Sequence, residues 1–377
     1  QRLFGDVYFM EGGESRSEES MVIIDDAFSA MLAVELRDGV AIDPTTRTAE
    51  DDKKFDIELL AAGTTFDLSL ELLIREGDNR TEFLQALALG LTALAQGEIR
   101  LGKRKRRGFG QCAVDNWNVQ RFNMKSPEGM VAWLCYDAFS EPSPSVENQS
   151  LFALLDVPQI DLLKPIFRLD ATFRLDGSLL IRSAPEKSSS PDNVHLQSYR
   201  PENKGHASVL SGTSLGGALR ARALRIVNTV KANGDGTQFV NNLFGYRSNE
   251  KNDSTPLWAS RLWVDETVIQ EPVRLVQSRV KIDRFTGGSF PGALFSEEAA
   301  FGGQQTKVKI QLTLGRATNR TNEKNPDGSN DDAEIGLLLM LLKDLWTGDL
   351  PIGGESSIGR GRLCGESVTI QIRDKVW

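Results

Sequence analysis

GEIRLGKRKRRGFG, residues 97–110, decides the fold because the chain carries the pattern twice. The second copy is GDLPIGGESSIGRG, residues 348–361. Its glycines are displaced from the first set by a constant 251 residues (348 less 97, 353 less 102, 359 less 108, 361 less 110). Each copy follows an apolar run with helical spacing. Leu84, Leu87, Ala88, Leu91 and Leu94 share one face in the first, and Ile335, Leu338, Leu339, Leu342 and Leu345 share one in the second. Gly97 and Gly348 stand where a helix end takes a left-handed residue. The pattern predicts a helix, a glycine-rich loop and a short alternating strand (QCAVDNW from 111, CGESVTIQI from 364), twice over.

The duplication extends upstream. Leu3-Phe4-Gly5 recurs as Leu243-Phe244-Gly245, an offset of 240. The same offset relates Ile24-Asp25 to Val264-Asp265, Ile42-Asp43 to Ile282-Asp283, and Phe55 to Phe295. The step from 240 to 251 places 11 extra residues in NRTNEKNPDGSNDD (319–332), which reads as a long polar loop. The second copy also has a leader from Lys164: a strand, IFRLDATFRLDG (166–177), a polar loop, and a helix, TSLGGALRARALRIVNTV (213–230). The first copy has two residues ahead of Leu3. A sheet domain without its first strand and helix leaves a core edge open, so further residues are expected ahead of Gln1. SEPSPSVENQS (140–150) reads as a linker. The expected division is a first domain over 1–139, a linker over 140–163 and a second, complete domain over 164–377. Within one copy the order is strand, helix, short strands, helix, glycine loop, strand. That is an α+β class of two tandem ferredoxin-like domains, each with an inserted hairpin at 283–303 or 43–63.

Composition bounds the function. The 377 residues are 40 % hydrophobic, enough for real cores, and the three cysteines form no CxxC pair or disulfide framework. No signal peptide and no apolar run of membrane-spanning length is visible, so the expectation is a cytoplasmic protein with no membrane partner. A net charge of −8 leaves local clusters to decide any contact with phosphate, and Lys103-Arg104-Lys105-Arg106-Arg107 is such a cluster.

GTSLG (212–216) matches a nucleophile elbow, but that fold needs a later histidine, and His195 and His206 both precede Ser214. The stretch reads instead as a helix N-terminus capped by Ser211, Thr213 and Ser214, with Arg220, Arg222 and Arg225 following. It is either an anion-binding end or an ordinary capped surface helix. Gly97-x4-Gly102-Lys103 resembles a P-loop, yet Arg104 stands where Ser or Thr must hold Mg²⁺. What remains is a pair of loops whose glycines let backbone approach a phosphate chain. They are backed by five basic residues in one copy and by Ser356, Ser357, Arg360 and Arg362 in the other. Asp192, in the leader's polar loop, has no paired carboxylate or metal-spaced cluster in sequence. A residue of that kind is commonly solvated or makes an Asx turn.

The ordered set PDNV, SGTSLGGALRARA, LFG, SRLWVDE, SRVKIDRFTGGSFPGALF and IGGESSIGRGRL resembles the RAMP superfamily of repeat-associated CRISPR proteins. The likeness covers 164–377, and 3–119 as a headless second copy. Two fused copies are similar to the double-backbone subunits of type III-D effector complexes. The resemblance implies RRM-like domains lined along a CRISPR guide RNA, with target RNA and other effector subunits as partners. The guide would be held by Gly102, Lys103, Arg104, Lys105, Arg106, Arg107 and Gly108, by Ser211, Thr213, Ser214, Arg220 and Arg222, and by Gly353, Gly354, Ser356, Ser357 and Arg360. Arg279 and Arg284 would also contact RNA, and the inserted hairpin, Thr286–Phe295 and Thr46–Phe55, would act as a thumb that interrupts the guide–target duplex at intervals. Asp192 would cleave target RNA with a divalent metal, Mg²⁺ or Mn²⁺. The alternative is a non-catalytic RNA-binding scaffold; a histidine-centred guide-processing ribonuclease would have only His195 and His206 to work with.

Overall fold

The computed structural model describes residues 3–9, 15–29, 33–43, 46, 48–137, 149–185, 191–230, 235–246, 259–316 and 330–377. The first copy contains β1 (Asp6–Phe9) and β2 (Ser15–Glu18), a hairpin; β3 (Val22–Ile24); the long hairpin β4 (Val34–Ile42) and β5 (Ala49–Leu60); and β6 (Leu70–Leu72), which pairs with β3. Three helices follow: α1 (Arg80–Ala95), α2 (Pro127–Cys135) and α3 (Leu151–Leu155). In the second copy the leader forms β7 (Phe167–Asp176), β8 (Ser178–Leu179), β9 (Arg182–Ser183), β10 (Asn193–His195), β11 (Gln197–Arg200) and β12 (Gly205–Leu210). Then come α4 (Gly212–Val230), α5 (Thr237–Phe244), β13 (Leu262–Val264), β14 (Thr267–Gln270), β15 (Val273–Ile282), β16 (Ser289–Phe301), β17 (Lys307–Leu314), α6 (Asn330–Trp346), β18 (Arg362–Ile372) and β19 (Lys375–Val376).

The principal sheet is antiparallel around β7, with β18 on one side and β17 on the other, and β13 and β14 beyond β17. Taking β7, the short pair β13 and β14, β17 and β18 as the four core positions in chain order, their spatial order is 4-1-3-2, with a helix between the first and second and between the third and fourth: the β-α-β-β-α-β plan. The alternation in β7 produces this arrangement. Phe167, Leu169, Ala171, Phe173 and Leu175 point to one face and are buried, as are Val308, Ile310, Leu312 and Leu314 of β17. The helices cover that face with Leu215, Leu219 and Ala223 of α4 and Leu338, Leu341 and Leu345 of α6. Trp346 closes the sheet's end, its ring edge-on to Phe173 at 5.9 Å.

The chain divides into two compact units that cut across the duplication. One comprises Gln1–Leu32, Thr64–Leu101 and Gly110–Leu163. Its described core consists of two small clusters, Leu3, Val22 and Phe83 in one and Leu84, Ala88, Leu151, Phe152 and Leu155 in the other. The other unit joins Ala33–Gly63 and Gly102–Phe109, both from the first copy, to Lys164–Trp377.

The duplication holds at the level of register. In β4–β5, Val34 faces Leu60 and Val40 faces Lys54, with a bulge before the Ile42–Ala49 pair; in β15–β16, Arg274 faces Ala300, Val280 faces Leu294, and the same bulge precedes Ile282–Ser289. Even the left-handed residue recurs, as Asp52 (φ 56°) and Gly292 (φ 72°). Two expectations are corrected. The hairpin is longer than 283–303, because β15 starts ten residues earlier, at Val273. QCAVDNW forms no strand, only a bridge between Arg100 and Gln111. β18 is a strand because β7 offers it an edge, whereas among the described residues the 111–117 segment is paired only through that bridge. Of the expected linker, 140–148 lies outside the described residues, while Leu151, Phe152 and Leu155 are buried with Leu84 and Ala88. Most of the polar stretch 319–332 also lies outside them; its last three residues open α6.

His195 is buried in this fold and serves it structurally. Nδ1 lies 3.2 Å from the Ile181 nitrogen and 3.1 Å from the Leu179 carbonyl oxygen, and Nε2 lies 3.0 Å from the Val209 carbonyl oxygen, to which it donates as N–H. Burial lowers its pKa to about 4. The unfolded side chain titrates near 6.5, so the native state resists protonation and the stabilisation, complete above that pH, is lost as pH falls toward 4. Glu334, raised to about 7 by burial, titrates in the opposite sense, so the histidine contribution is read by difference. Between pH 7.5 and pH 5, wild type should lose about 2 kcal/mol more than His195→Gln in urea unfolding. Parallel pH dependences would show that His195 is not the linked group.

Candidate nucleic-acid interface

The two glycine loops have one backbone and different side chains. Gly102, Arg104 and Gly108 have φ of 78°, 56° and 88°; Gly353, Glu355 and Gly359 have 77°, 59° and 92°. Each loop contains a 3₁₀ turn, Lys105–Arg107 or Ser356–Ile358. Each is closed by an N–H···O=C bond of 2.9 Å, from Leu101 to Gly110 and from Ile352 to Gly361. A β-carbon on Gly110 or Gly361 would run into the carbonyl of Leu101 or Ile352, so both positions require glycine.

The first loop lies against the second copy. Arg106 stacks over the Trp263 ring, 3.2 Å from its centroid, and Arg104 over Phe55 at 4.8 Å. Arg107 is carried to the start of α4. Its guanidinium occupies the space that a side chain at Gly216 would fill, and its Nη1 is buried with no hydrogen-bond partner among the described residues. Burial, together with nearby Arg220, lowers the Arg107 pKa to about 10, so the group stays cationic at neutral pH. Ser211 caps α4, accepting the Ser214 N–H at 3.2 Å, and its hydroxyl lies 3.1 Å from that of Thr213. Arg220, one turn on, donates to the Gly245 carbonyl (2.9 Å) and to Asn241. An unneutralised guanidinium, hydroxyls and a helix N-terminus therefore converge, with Lys103 and Lys105 exposed on the same loop. Such a set accepts an anion.

A buried ion network fixes this placement. Arg37 of β4 donates both terminal nitrogens to Glu266, one at 3.0 Å, and Arg200 donates to the same carboxylate. Glu35 accepts from the Ser198 hydroxyl (3.0 Å) and the Tyr199 N–H, and Asp38 from the Ala184 N–H (3.2 Å). Sequence reasoning assigned no role to these residues. The available signal was their loss from the other copy, where Leu275, Gln277 and Ser278 stand in place of Glu35, Arg37 and Asp38.

The second loop turns its charges inward. Arg360 is 3 % exposed and pairs with Glu355 (3.0 Å), Glu297 (3.4 Å) and Gln277 (3.0 Å); Arg279 pairs with Glu355 at 3.0 Å. Burial raises the Glu297 carboxyl, and neighbouring Glu355 adds to the effect. Gly354 donates to the Leu180 carbonyl at 2.8 Å, while Ser357 stays exposed and Ser356 half-buried. The remaining expected contacts lie apart from both loops. Arg222 is held by Asp344 of α6 at 2.6 Å, and Arg284 is exposed at the tip of the β15–β16 hairpin. Arg261, where the first copy has Met21, pairs with Asp331 and Glu334.

Asp192 is exposed and anchored to the base of that hairpin. One carboxylate oxygen accepts the Ser296 N–H (2.7 Å) and hydroxyl (3.2 Å), and its own N–H donates back to Ser296 (3.3 Å). Among the described residues no group of three His, Cys, Asp or Glu side chains could hold a metal ion. Asp192 therefore does not sit in a resident metal centre built from those residues. A lone carboxylate fits only the mode in which a small divalent cation is shared with substrate phosphates.

Among known protein families, the RAMP superfamily matches residues 1–113 and 172–364. Comparison with curated proteins finds no match.

Glu266→Gln should destabilise the protein by about 3 kcal/mol in urea unfolding, because half-buried Arg200 loses its counter-charge and buried Arg37 is left with Glu35 alone. The paired change Arg37→Met with Glu266→Met should cost less than the sum of the two single changes. Additive effects would refute the coupling.

Proposed function

This chain belongs to the RAMP superfamily, and on that premise we propose that it is a CRISPR RNA-binding backbone subunit of a type III interference complex, built as two fused copies in the manner of the type III-D double-backbone proteins. The superfamily is associated with RNA binding and with type III CRISPR ribonucleoprotein complexes. The observation that carries the reading is the seating of Arg107, with its unpartnered nitrogen, at the N-terminus of α4 beside Ser211 and Thr213. An acidic chain that concentrates five basic residues on one loop directs RNA to that loop. Backbone N–H groups and hydroxyls recognise the sugar–phosphate chain and leave sequence to base pairing.

Asp192 is the proposed cleavage residue. Ser296 fixes one carboxylate oxygen and leaves the other to face a nucleotide. In that position it can orient a ribose 2′-hydroxyl, the nucleophile that RNA supplies itself. A Mg²⁺ or Mn²⁺ ion shared between Asp192 and RNA phosphates would stabilise the charge that develops on the phosphate. The second reading, a scaffold that binds without cutting, is favoured by the missing metal-ligand cluster among the described residues.

Two measurements test these proposals. Arg107→Ala should weaken guide-RNA binding and reduce the slope of log K against log salt by about one, while Arg222→Ala, which loses a guanidinium already paired with Asp344, leaves the slope unchanged. Equal slopes for wild type and Arg107→Ala would overturn the placement of RNA at this loop. In a complex reconstituted with guide, labelled complementary RNA and Mg²⁺, Asp192→Ala should abolish one set of cuts with binding retained. An unchanged cleavage pattern would make this chain scaffold at that position.

A further inference from the structure

Successive side chains of a strand point to opposite faces, and on β16 the two faces carry different chemistry. Ser296 holds Asp192 through its N–H and hydroxyl. Its neighbour Glu297 is fully buried and lies within ion-pair distance of three guanidiniums: Arg360 (3.4 Å), Arg182 (3.5 Å) and Arg279 (3.8 Å). Glu355 of the second glycine loop meets the same three, Arg360 and Arg279 at 3.0 Å and Arg182 at 3.2 Å. Arg182 comes from β9, Arg279 from β15 and Arg360 from the end of the loop, so each cation ties the loop to β16. Two backbone bonds seat the loop as well, from Gly354 to the Leu180 carbonyl (2.8 Å) and from Gly361 to the Ser178 carbonyl (2.7 Å).

Stability does not account for this cluster. Buried charges lose in desolvation most of what they gain in attraction, and Arg360 Nη1 and Glu297 Oε1 have no hydrogen-bond partner among the described residues. The first copy shows that the backbone does not need it. The offsets of 240 and 251 put Ile57 and Phe109 at the positions of Glu297 and Arg360, and Gly39 and Arg104 at those of Arg279 and Glu355. Strand register, bulge and left-handed loop residues coincide in the two copies all the same. An apolar pair therefore serves one hairpin and an ion cluster the other. What the ion cluster adds is direction, because a charged N–H···O contact has a favoured geometry and an apolar contact has none. Ser296 differs between the copies too: the first has Asp56 there, a carboxylate in place of the donor hydroxyl. The cluster and the anchor of Asp192 thus occur together, on adjacent residues of one strand.

We propose that Glu297, Glu355 and Arg360 are positioning residues for RNA cleavage at Asp192. They act through Ser296 and not by contact with substrate. Fixing β16 against the loop, β9 and β15 holds the Ser296 N–H and hydroxyl in place. Those two groups secure one carboxylate oxygen of Asp192, at 2.7 and 3.2 Å, and leave the other to the substrate. The role rests on the reading of Asp192 as the cleavage residue. Misplacing a reacting group by about 1 Å costs about a hundredfold in rate, so a rigid β16 matters to the reaction even where it adds nothing to stability.

The test uses the full chain in its reconstituted ribonucleoprotein, with guide, labelled complementary RNA and Mg²⁺, at single turnover. Glu297→Gln should slow the Asp192-dependent cuts about 10- to 100-fold with target affinity unchanged. Because breaking a buried pair can also unfold the chain, a second variant carries the first copy's own residues, Glu297→Ile with Arg360→Phe. It should keep wild-type guide-RNA affinity and melt no lower than Glu297→Gln, yet cut as slowly. A wild-type rate in either variant overturns the proposal. So does failure of the second to fold, since the apolar pair then does not stand in for the cluster. A further readout needs neither metal nor RNA: hydrogen exchange at the Ser296 amide of the free chain should quicken about tenfold in both variants. Unaltered exchange refutes the brace. Asp192→Ala separates the two readings. If it leaves every cut in place, the cleavage reading falls and the positioning role with it; if it abolishes cuts that Glu297→Gln makes at full rate, the positioning role alone falls.

Discussion

One carboxylate, Glu266, organises the larger unit. It is held by Arg200 from its own copy and by Arg37 from the other, 229 positions away in sequence. A buried charge of this kind contributes little net stability, because desolvation offsets attraction, but it penalises every arrangement in which a partner is missing. Its consequence is geometric. Once Arg37 is committed, β4–β5 lies on the second copy, Arg106 reaches Trp263, and Arg107 arrives at α4. The proposed RNA site is therefore composite, with its cations from one copy and its helix end from the other.

The duplicated halves show how one backbone can hold opposite electrostatic states. In the first loop Arg107 is enclosed with no counter-charge among the described residues, which burial makes costly and which leaves its nitrogen open to an incoming anion. In the second, Arg360 is enclosed with Glu297 and Glu355, which neutralise it and tie the loop to the hairpin base close to Ser296, the anchor of Asp192. The backbone dihedral angles are nearly identical, so the divergence lies in side chains alone. The first loop is arranged to receive charge and the second to brace the hairpin.

Much of the architecture was legible in the chain. The 251-residue offset, the apolar spacing of α1 and α6, the alternation of β7 and the glycines at left-handed positions all follow from local rules: period 3.6, period 2, and the steric cost of a β-carbon at positive φ. QCAVDNW misled because alternation marks a segment that can be a strand, and a strand also needs a neighbour with a free edge. The pairing of Arg360 and Arg279 with glutamates was likewise not legible in the chain. A guanidinium reads as a phosphate ligand until a buried glutamate is found beside it.

By itself, then, the sequence determined the duplication, the α+β class, the shape of both loops and the location of the basic cluster, since each depends on residues close together in the chain. Tertiary structure alone decided that the units cut across the copies, that Arg37 and Glu266 meet, that Arg107 Nη1 has no hydrogen-bond partner among the described residues while Arg360 is neutralised, and that Asp192 is pinned by Ser296. Those outcomes depend on burial and on pairs separated by as many as 229 residues, and no local periodicity records which charge will face which.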